Sequence, residues 1–206
     1  MSSIMAVLVA GSCCFGLVVL AVLVGVWASY NGLVRLRNTV RESWRQVDVE
    51  LQRRHDLVPN LVQTTVAAAQ FERGAIERVV AARNFAVEAS GFSGSVARAA
   101  YAEGQLSSAL RGFFAVAESY PTLRSNANFV QLQSELANTE DRIAASRRFY
   151  NGNVRELNVK VESFPSNLIA GAFGFQQSEY FELDDPAARQ RPDLSGAFDV
   201  LRPPQG

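Results

Sequence analysis

The sequence has few of the residues on which many active sites are built. Its two cysteines, Cys13 and Cys14, lie in an apolar run near the amino terminus, so the rest of the chain has no thiol for a disulfide, a zinc site or a nucleophile. His55 is the only histidine and Gln52 stands three residues before it, so the Glu-x-x-His pairs of a diiron bundle are absent. Neither His-Glu-x-x-His nor a phosphate-binding loop occurs. We therefore predict no enzymatic activity and no catalytic, cofactor-binding or metal-binding residues.

An excess of either charge is also missing. Lys and Arg together number 20 and Asp and Glu together number 20, which gives a formal net charge of +0. Nucleic-acid binding requires a basic field, because the phosphate backbone dominates the affinity. We therefore expect no nucleic-acid partner.

Charge of any kind is absent from the start of the chain, where Arg35 is the first charged residue and residues 4–27 are apolar. About 20 apolar residues, each rising ~1.5 Å, cross a ~30 Å hydrocarbon core. A cleaved signal peptide would need a basic segment before a shorter apolar core, and no Lys or Arg precedes the run. The sequence predicts an uncleaved transmembrane anchor over residues 1–29.

The charges that follow this run predict its orientation. Arg35, Arg37, Arg41 and Arg45 come just after it, and only the α-amino group comes before it. Because basic residues are retained on the cytoplasmic side, we expect the amino terminus outside and the large domain in the cytoplasm. Trp27 and Tyr30 stand where an interfacial aromatic belt would lie, although two aromatic residues could also occur there by chance.

Proline is scarce in the middle of the chain. Only Pro59 and Pro121 fall between residues 28 and 164, whereas the other five of the 7 prolines lie at residue 165 or beyond. Helix can therefore fill the first region and cannot fill the second. Asp56 can cap a helix with Pro59 in its first turn, but a continuous helix kinked at Pro59 is an open alternative.

Apolar residues in this region recur at three- and four-residue steps in four segments, the second running from residue 56 to about residue 89. The four stripes are Leu33, Leu36, Val40, Trp44, Val47 and Leu51; Val58, Val62, Thr65, Ala69, Ile76, Val80 and Val87; Val96, Ala99, Leu106, Leu110, Phe113, Ala117 and Tyr120; and Phe129, Leu132, Leu136, Ile143, Tyr150, Val154, Leu157, Val161 and Phe164. We expect an all-α fold in which residues 30–164 form an antiparallel up-and-down four-helix bundle after the transmembrane helix.

The chain after the fourth stripe differs in composition. Residues 165–183 mix apolar residues with glycine, and we expect this segment to dock on the bundle or on the membrane. Residues 184–206 are rich in proline and acidic residues, and we expect a disordered tail there.

Two ionisable residues occupy stripe positions. Glu103 lies between Ala99 and Leu106, where an unpaired carboxylate would be costly, so we expect it either to pair with Arg83 or Arg147 in a buried polar layer or to lie at the bundle edge in water. His55 is expected at the edge of the core, bound to a backbone carbonyl, rather than as a ligand or pH switch. A ligand-binding or enzymatic bundle with a polar pocket near Glu103 is the alternative function.

Several stretches together resemble a known family. They are residues 30–38 (YNGLVRLRN), 53–62 (RRHDLVPNLV), 113–121 (FFAVAESYP) and 128–136 (NFVQLQSEL), with Thr139-Glu140, Tyr150-Asn151, Phe164-Pro165, residues 173–175 and Phe181-Glu182. These closely resemble signature stretches of the LemA family of bacterial membrane proteins, over about residues 4–182. The shared positions include Asn31, Asn60 and Asn151, which packing explains less well than it explains the apolar positions.

The resemblance implies a single-pass protein of the bacterial inner membrane with a cytoplasmic helical bundle. It implies no catalytic residues, because LemA-like proteins have no established enzymatic activity. It suggests a membrane-tethered scaffold or adapter for other envelope proteins, whose partners are the lipid bilayer and other membrane proteins, a membrane protease among them. The oligomeric state stays open.

Overall fold

The computed structural model of the chain describes residues 2–66, 71–90 and 95–182, and within these ranges every regular element is a helix. The helices are α1 (Ser2–Val66), α2 (Arg73–Ala89), α3 (Val96–Ala117), α4 (Pro121–Arg124), α5 (Ala127–Glu162) and α6 (Ser166–Ala172). The all-α prediction is confirmed. The tail predicted over residues 184–206 lies outside the described residues.

Helix α1 is 65 residues long and continues through Pro59 without a break. Among the described residues, α1 is the one helix that is long and apolar enough to cross a membrane, judged by length and composition, and its first part supplies the apolar residues. The large apolar side chains there, such as Phe15 and Leu23, are exposed. From Leu33 onward the same helix buries side chains in the protein, so the predicted boundary between anchor and bundle falls inside one continuous helix.

The second predicted segment was wrong in its continuity and in its register. Instead of one helix to about residue 89, α1 ends at Val66 and α2 begins at Arg73. Because the helical phase restarts there, Val79 and Ala86 are buried, whereas the predicted Val80 and Val87 are 38% and 37% exposed. No proline or glycine marks this break before Gly74, so the local sequence carried no stop signal.

Side-chain caps define the starts of α3 and α5. Ser95 accepts a hydrogen bond from the Arg98 N–H, and Asn126 accepts from the Asn128 and Phe129 N–H groups. Helix α5 ends at Glu162, and Phe164 is 80% exposed, so its assignment to the buried stripe was wrong. The chain has already left the helix at Phe164, and the 3.6-residue phase no longer applies to it.

The core consists of two groups of buried apolar side chains. The first, the distal core, joins the end of α1 to α2, α3 and the start of α5, with Leu61, Leu106 and Phe113 at its centre. The second, the proximal core, joins residues 33–51 of α1 to α5 and to residues 170–181, with Trp44, Tyr150 and Phe181 in ring contact. Helices α1, α3 and α5 contribute to both cores and therefore connect them.

We predict that Phe113→Ala lowers the free energy of unfolding by about 3–5 kcal/mol, because the Phe113 ring is fully buried and contacts Phe71 and Phe114. Phe149→Ala is the matched control, since Phe149 is 53% exposed and its loss should have little effect. Urea unfolding of the full chain in detergent micelles, followed by circular dichroism, measures both. A Phe113→Ala cost below ~1 kcal/mol would contradict the assignment of this ring to the core.

Candidate functional site

A buried charged cluster lies where the distal and proximal cores meet. Arg54 and His55 come from α1 and Glu103 comes from α3, and their exposures are 1%, 0% and 1%. Leu51, Arg54, Val58 and Leu61 follow one another at three- and four-residue steps, so the helical phase turns Arg54 toward the core together with its apolar neighbours. Burial of three ionisable groups is costly unless they are paired.

Pairing within the cluster is dense. The Arg54 guanidinium donates through Nη2 to Glu103 Oε2, and through Nη1 to Ser107 Oγ at 2.9 Å and Glu140 Oε2 at 2.5 Å. His55 Nε2 lies 2.7 Å from Glu103 Oε1. These bonds link α1, α3 and α5 through one guanidinium.

A side chain of helix α2 bonds the backbone of the cluster residue His55. Arg83 Nε donates to the carbonyl oxygen of His55 at 3.2 Å, so the expected pairing of Arg83 with Glu103 was wrong. Arg147 is not among the hydrogen-bonded partners of Glu103 either, and the imidazole of His55 binds this carboxylate instead of a backbone carbonyl. Arg54 was not predicted from the sequence, although its spacing from Leu51 and Val58 was a usable signal.

The electrostatics of the cluster favour ionised Glu103. Burial acts to raise the pKa of this carboxyl, but the hydrogen bond to His55 and the charges of Arg54 and His55 outweigh burial and lower the pKa below its ordinary value of 4.5. Each Glu103 oxygen bonds a protein group, and the side chain is buried, so a substrate in solvent has no access to this carboxylate. The arrangement is suited to holding helices in register rather than to proton transfer.

Next to the cluster, a cavity of about 440 Å³ opens between α3 and α5. Arg54, Ser107 and Glu140 form its polar end, and Leu110, Phe114 and Leu136 are among its apolar lining. Glu103 does not line this cavity. The polar pocket considered for the alternative function is bounded instead by Arg54, which bonds Glu103, and by Ser107 and Glu140, which bond Arg54. Among the described residues, no group of three or more His, Cys, Asp or Glu side chains is placed to hold a metal ion.

A second polar arrangement holds residues 175–182, here called the strap, against α5. The Asn158 side chain bonds both backbone groups of Ser178, donating to O at 3.0 Å and accepting from N at 2.8 Å. Asn151 bonds Phe181 in the same way, at 3.1 and 2.9 Å. The two amides thus replace the ladder partners that an extended segment lacks, which gives Asn151 a structural role that helix packing alone did not suggest.

Glu179 ties the strap to α3. Its carboxylate accepts from Ser95 Oγ at 3.1 Å and from the Ala97 N–H at 3.2 Å, at the positive end of the α3 dipole. The Tyr150 hydroxyl donates to the Glu179 carbonyl at 2.9 Å, and burial together with the Glu179 charge raises the pKa of Tyr150 to about 12. The strap is therefore an integral part of the described structure.

We predict that Glu103→Ala lowers the free energy of unfolding by about 3–5 kcal/mol, because it leaves the buried Arg54 and His55 without their carboxylate. The matched control is Glu42→Ala, which removes an exposed ion pair with Arg45 and should cost less than ~1 kcal/mol. Urea unfolding measures both variants, and equal small effects would contradict the buried pairing.

The lowered pKa of Glu103 also predicts a pH dependence. A carboxyl whose pKa is lower in the folded state adds stability that is fully present above its ordinary pKa of 4.5 and is lost as the pH falls through the lower folded value. The stability difference between the wild type and Glu103→Gln should therefore shrink as the pH falls below 4.5. Chemical denaturation in a pH series tests this, and a difference that grows on acidification would reverse the sign.

Comparisons with known proteins show the family of the chain. The LemA family model matches residues 43–195, a range that includes the charged cluster, Asn151, Asn158 and the strap. Magnetosome protein MamQ 2 of Paramagnetospirillum magneticum is 28% identical over 176 residues, which cover 74% of this chain and 64% of that protein. Magnetosome protein MamQ of Magnetospirillum gryphiswaldense is 27% identical over 174 residues, with the same two coverages. The chain spans about two thirds of the length of these relatives, and by the family match it belongs to the LemA family.

Proposed function

We propose that the protein is a scaffold or adapter of the bacterial inner membrane, spanning the bilayer once and presenting a cytoplasmic helical bundle to other membrane proteins. The observation that carries this proposal is the continuity of α1, which is apolar and exposed in its first part and buried in the protein from Leu33 onward. A single helix with no linker would hold the bundle at a fixed distance and orientation from the bilayer.

The proposed bundle is antiparallel and four-helical, formed by the second part of α1 with α2, α3 and α5. Contacts between α1 and α5 support opposite directions for these two helices. Gly32 lies beside Lys160, Trp44 contacts Tyr150, and Arg54 bonds Glu140, so residue numbers fall along α5 as they rise along α1. Because Arg54 reaches both Glu103 and Glu140, the charged cluster would fix the register of this bundle.

Two observations support an adapter more than an enzyme. Arg54 forms ion pairs with Glu103 and Glu140, and these pairs hold three helices together. Outside this cluster, a groove of about 720 Å³ runs along α2 and α3, lined by Phe85, Tyr101 and Ala109, and Tyr101 is 52% exposed. Exposed aromatic side chains in a groove are typical anchors for a partner protein, and a membrane protease is one class of partner that we propose.

The first prediction of the proposal concerns topology. In a background with Cys13→Ala and Cys14→Ala, a cysteine at the exposed Ser134 should resist a membrane-impermeant maleimide in intact cells and react after permeabilisation. Ser3→Cys is the matched control and should react in intact cells. Labelling of the Ser134 position without permeabilisation would reverse the proposed orientation.

The second prediction concerns the partner. A photoreactive residue at Gln105, within the α2–α3 groove, should crosslink a membrane protein in the native bacterium, and the Tyr101→Ala variant should lose that crosslink. A photoreactive residue at the exposed Asp141 of α5 serves as the control and should not capture the same protein. Identical captures at both positions, or a crosslink unaffected by Tyr101→Ala, would remove the groove as the adapter surface.

The cavity beside Arg54 favours a ligand-binding bundle as the second candidate function. Ala137 lines this cavity, so Ala137→Phe would fill part of it while Arg54, His55 and Glu103 themselves stay unsubstituted. A small molecule that raises the melting temperature of the wild type but not of Ala137→Phe would favour ligand binding over the adapter. An unchanged melting temperature across a metabolite panel would favour the adapter.

A further inference from the structure

Three large apolar side chains are exposed at one end of the molecule. Phe164, Leu168 and Phe173, which we call the apolar patch, are 80%, 62% and 57% exposed and lie just before, within and just after α6. The same short helix buries Ser166 and Ala170 against the protein. Helix α6 is therefore fixed in place by one side, while each of the three patch side chains stays more than half exposed.

The position of the patch relative to α1 is set by ring contacts. The Phe173 ring lies 4.9 Å from the Tyr30 ring, and the neighbouring Phe175 ring lies 5.8 Å from it. Tyr30 stands three residues after Trp27, which is 68% exposed and ends the apolar run. Three residues of helix rise by ~4.5 Å, so Tyr30, which contacts Phe173, lies within about one turn of the point where the apolar part of α1 ends.

Cationic side chains lie further along the direction of α1, beyond the contact between Tyr30 and Phe173. The Arg37 guanidinium carbon stands 5.0 Å from the centroid of the buried Phe175 ring, and the Lys160 ammonium lies beside Gly32. Along α1 the order is thus apolar run, aromatic residues with the patch, and then cations. A membrane–water interface has the same order, with hydrocarbon first, a zone favourable to aromatic rings next, and headgroups that attract basic side chains last.

We propose that the apolar patch is a second membrane contact, in which Phe164, Leu168 and Phe173 insert into the interfacial layer of the bilayer that α1 crosses. The inference rests on the proposed function, because it needs α1 to span the membrane. A helix alone leaves its tilt and rotation free, whereas a second point of contact restricts both. The patch would hold the helical body, and the α2–α3 groove on it, at one orientation to the membrane surface.

The experiment uses the full chain with Cys13→Ala and Cys14→Ala, reconstituted in vesicles of phosphatidylcholine and phosphatidylglycerol. Leu168→Cys carries an environment-sensitive fluorophore, and the vesicles contain either nitroxide-labelled lipid or an external aqueous quencher. Val130→Cys is the matched control, since Val130 is also exposed, at 49%, but lies near the opposite end of α5, roughly 50 Å from Glu162 along the helix.

At position 168 we expect a several-fold stronger quenching by the lipid nitroxide than at position 130, and a several-fold weaker quenching by the aqueous reagent. Equal aqueous quenching at both positions would overturn the inference. Protection from both quenchers at position 168 would also overturn it, because protein, and not lipid, would then cover the patch. Alkaline extraction of the same vesicles separates the two proposals. If alkali extracts the protein from the vesicles, α1 does not span the membrane and the proposed function is contradicted. If the protein stays in the vesicles but position 168 is exposed to water, only the second membrane contact is contradicted.

Discussion

The continuity of α1 is the constraint on which the rest of the structure depends. An apolar run of spanning length is followed, without a turn, by a segment whose inward side chains form part of both cores. Backbone hydrogen bonds inside one helix satisfy every peptide group in either environment, so the chain passes from the exposed apolar part to the protein core without an unsatisfied segment. The positions of α5, α6 and the strap are all defined by contact with this helix.

The charged cluster holds the helices together between the two cores, whereas apolar packing holds them together within each core. Arg54 is the shared donor for Glu103, Ser107 and Glu140, so three helices meet at one planar group. Such a cluster need not add much net stability, because desolvation of the charges offsets their attraction. Its geometry is directional, however, and a sliding of α1 against α3 or α5 would break several bonds at once. The hydrogen bonds of Arg54 are therefore suited to holding the helices in register.

The strap shows how a segment without regular structure can belong to a helical protein. Asn151 and Asn158, two helical turns apart on α5, present amide groups that match the backbone of Phe181 and Ser178. Phe181 then fills the space beside Trp44, and Glu179 satisfies the amino end of α3. Side-chain amides, a buried ring and a helix terminus together offset the entropy of ordering an extended chain.

The sequence by itself determined the all-α class, the apolar run and most of the buried stripes, because helical periodicity is a local property that a few neighbouring residues specify. It did not determine the interruption between Val66 and Arg73, the partners of Glu103, or the role of Asn151. The last two depend on residues far apart in the chain: Arg54 meets Glu103 across 49 positions and Glu140 across 86, and Asn151 meets Phe181 across 30. Only the packing of the helices decides which charges become neighbours, and a stripe pattern carries no information about the partner that it faces.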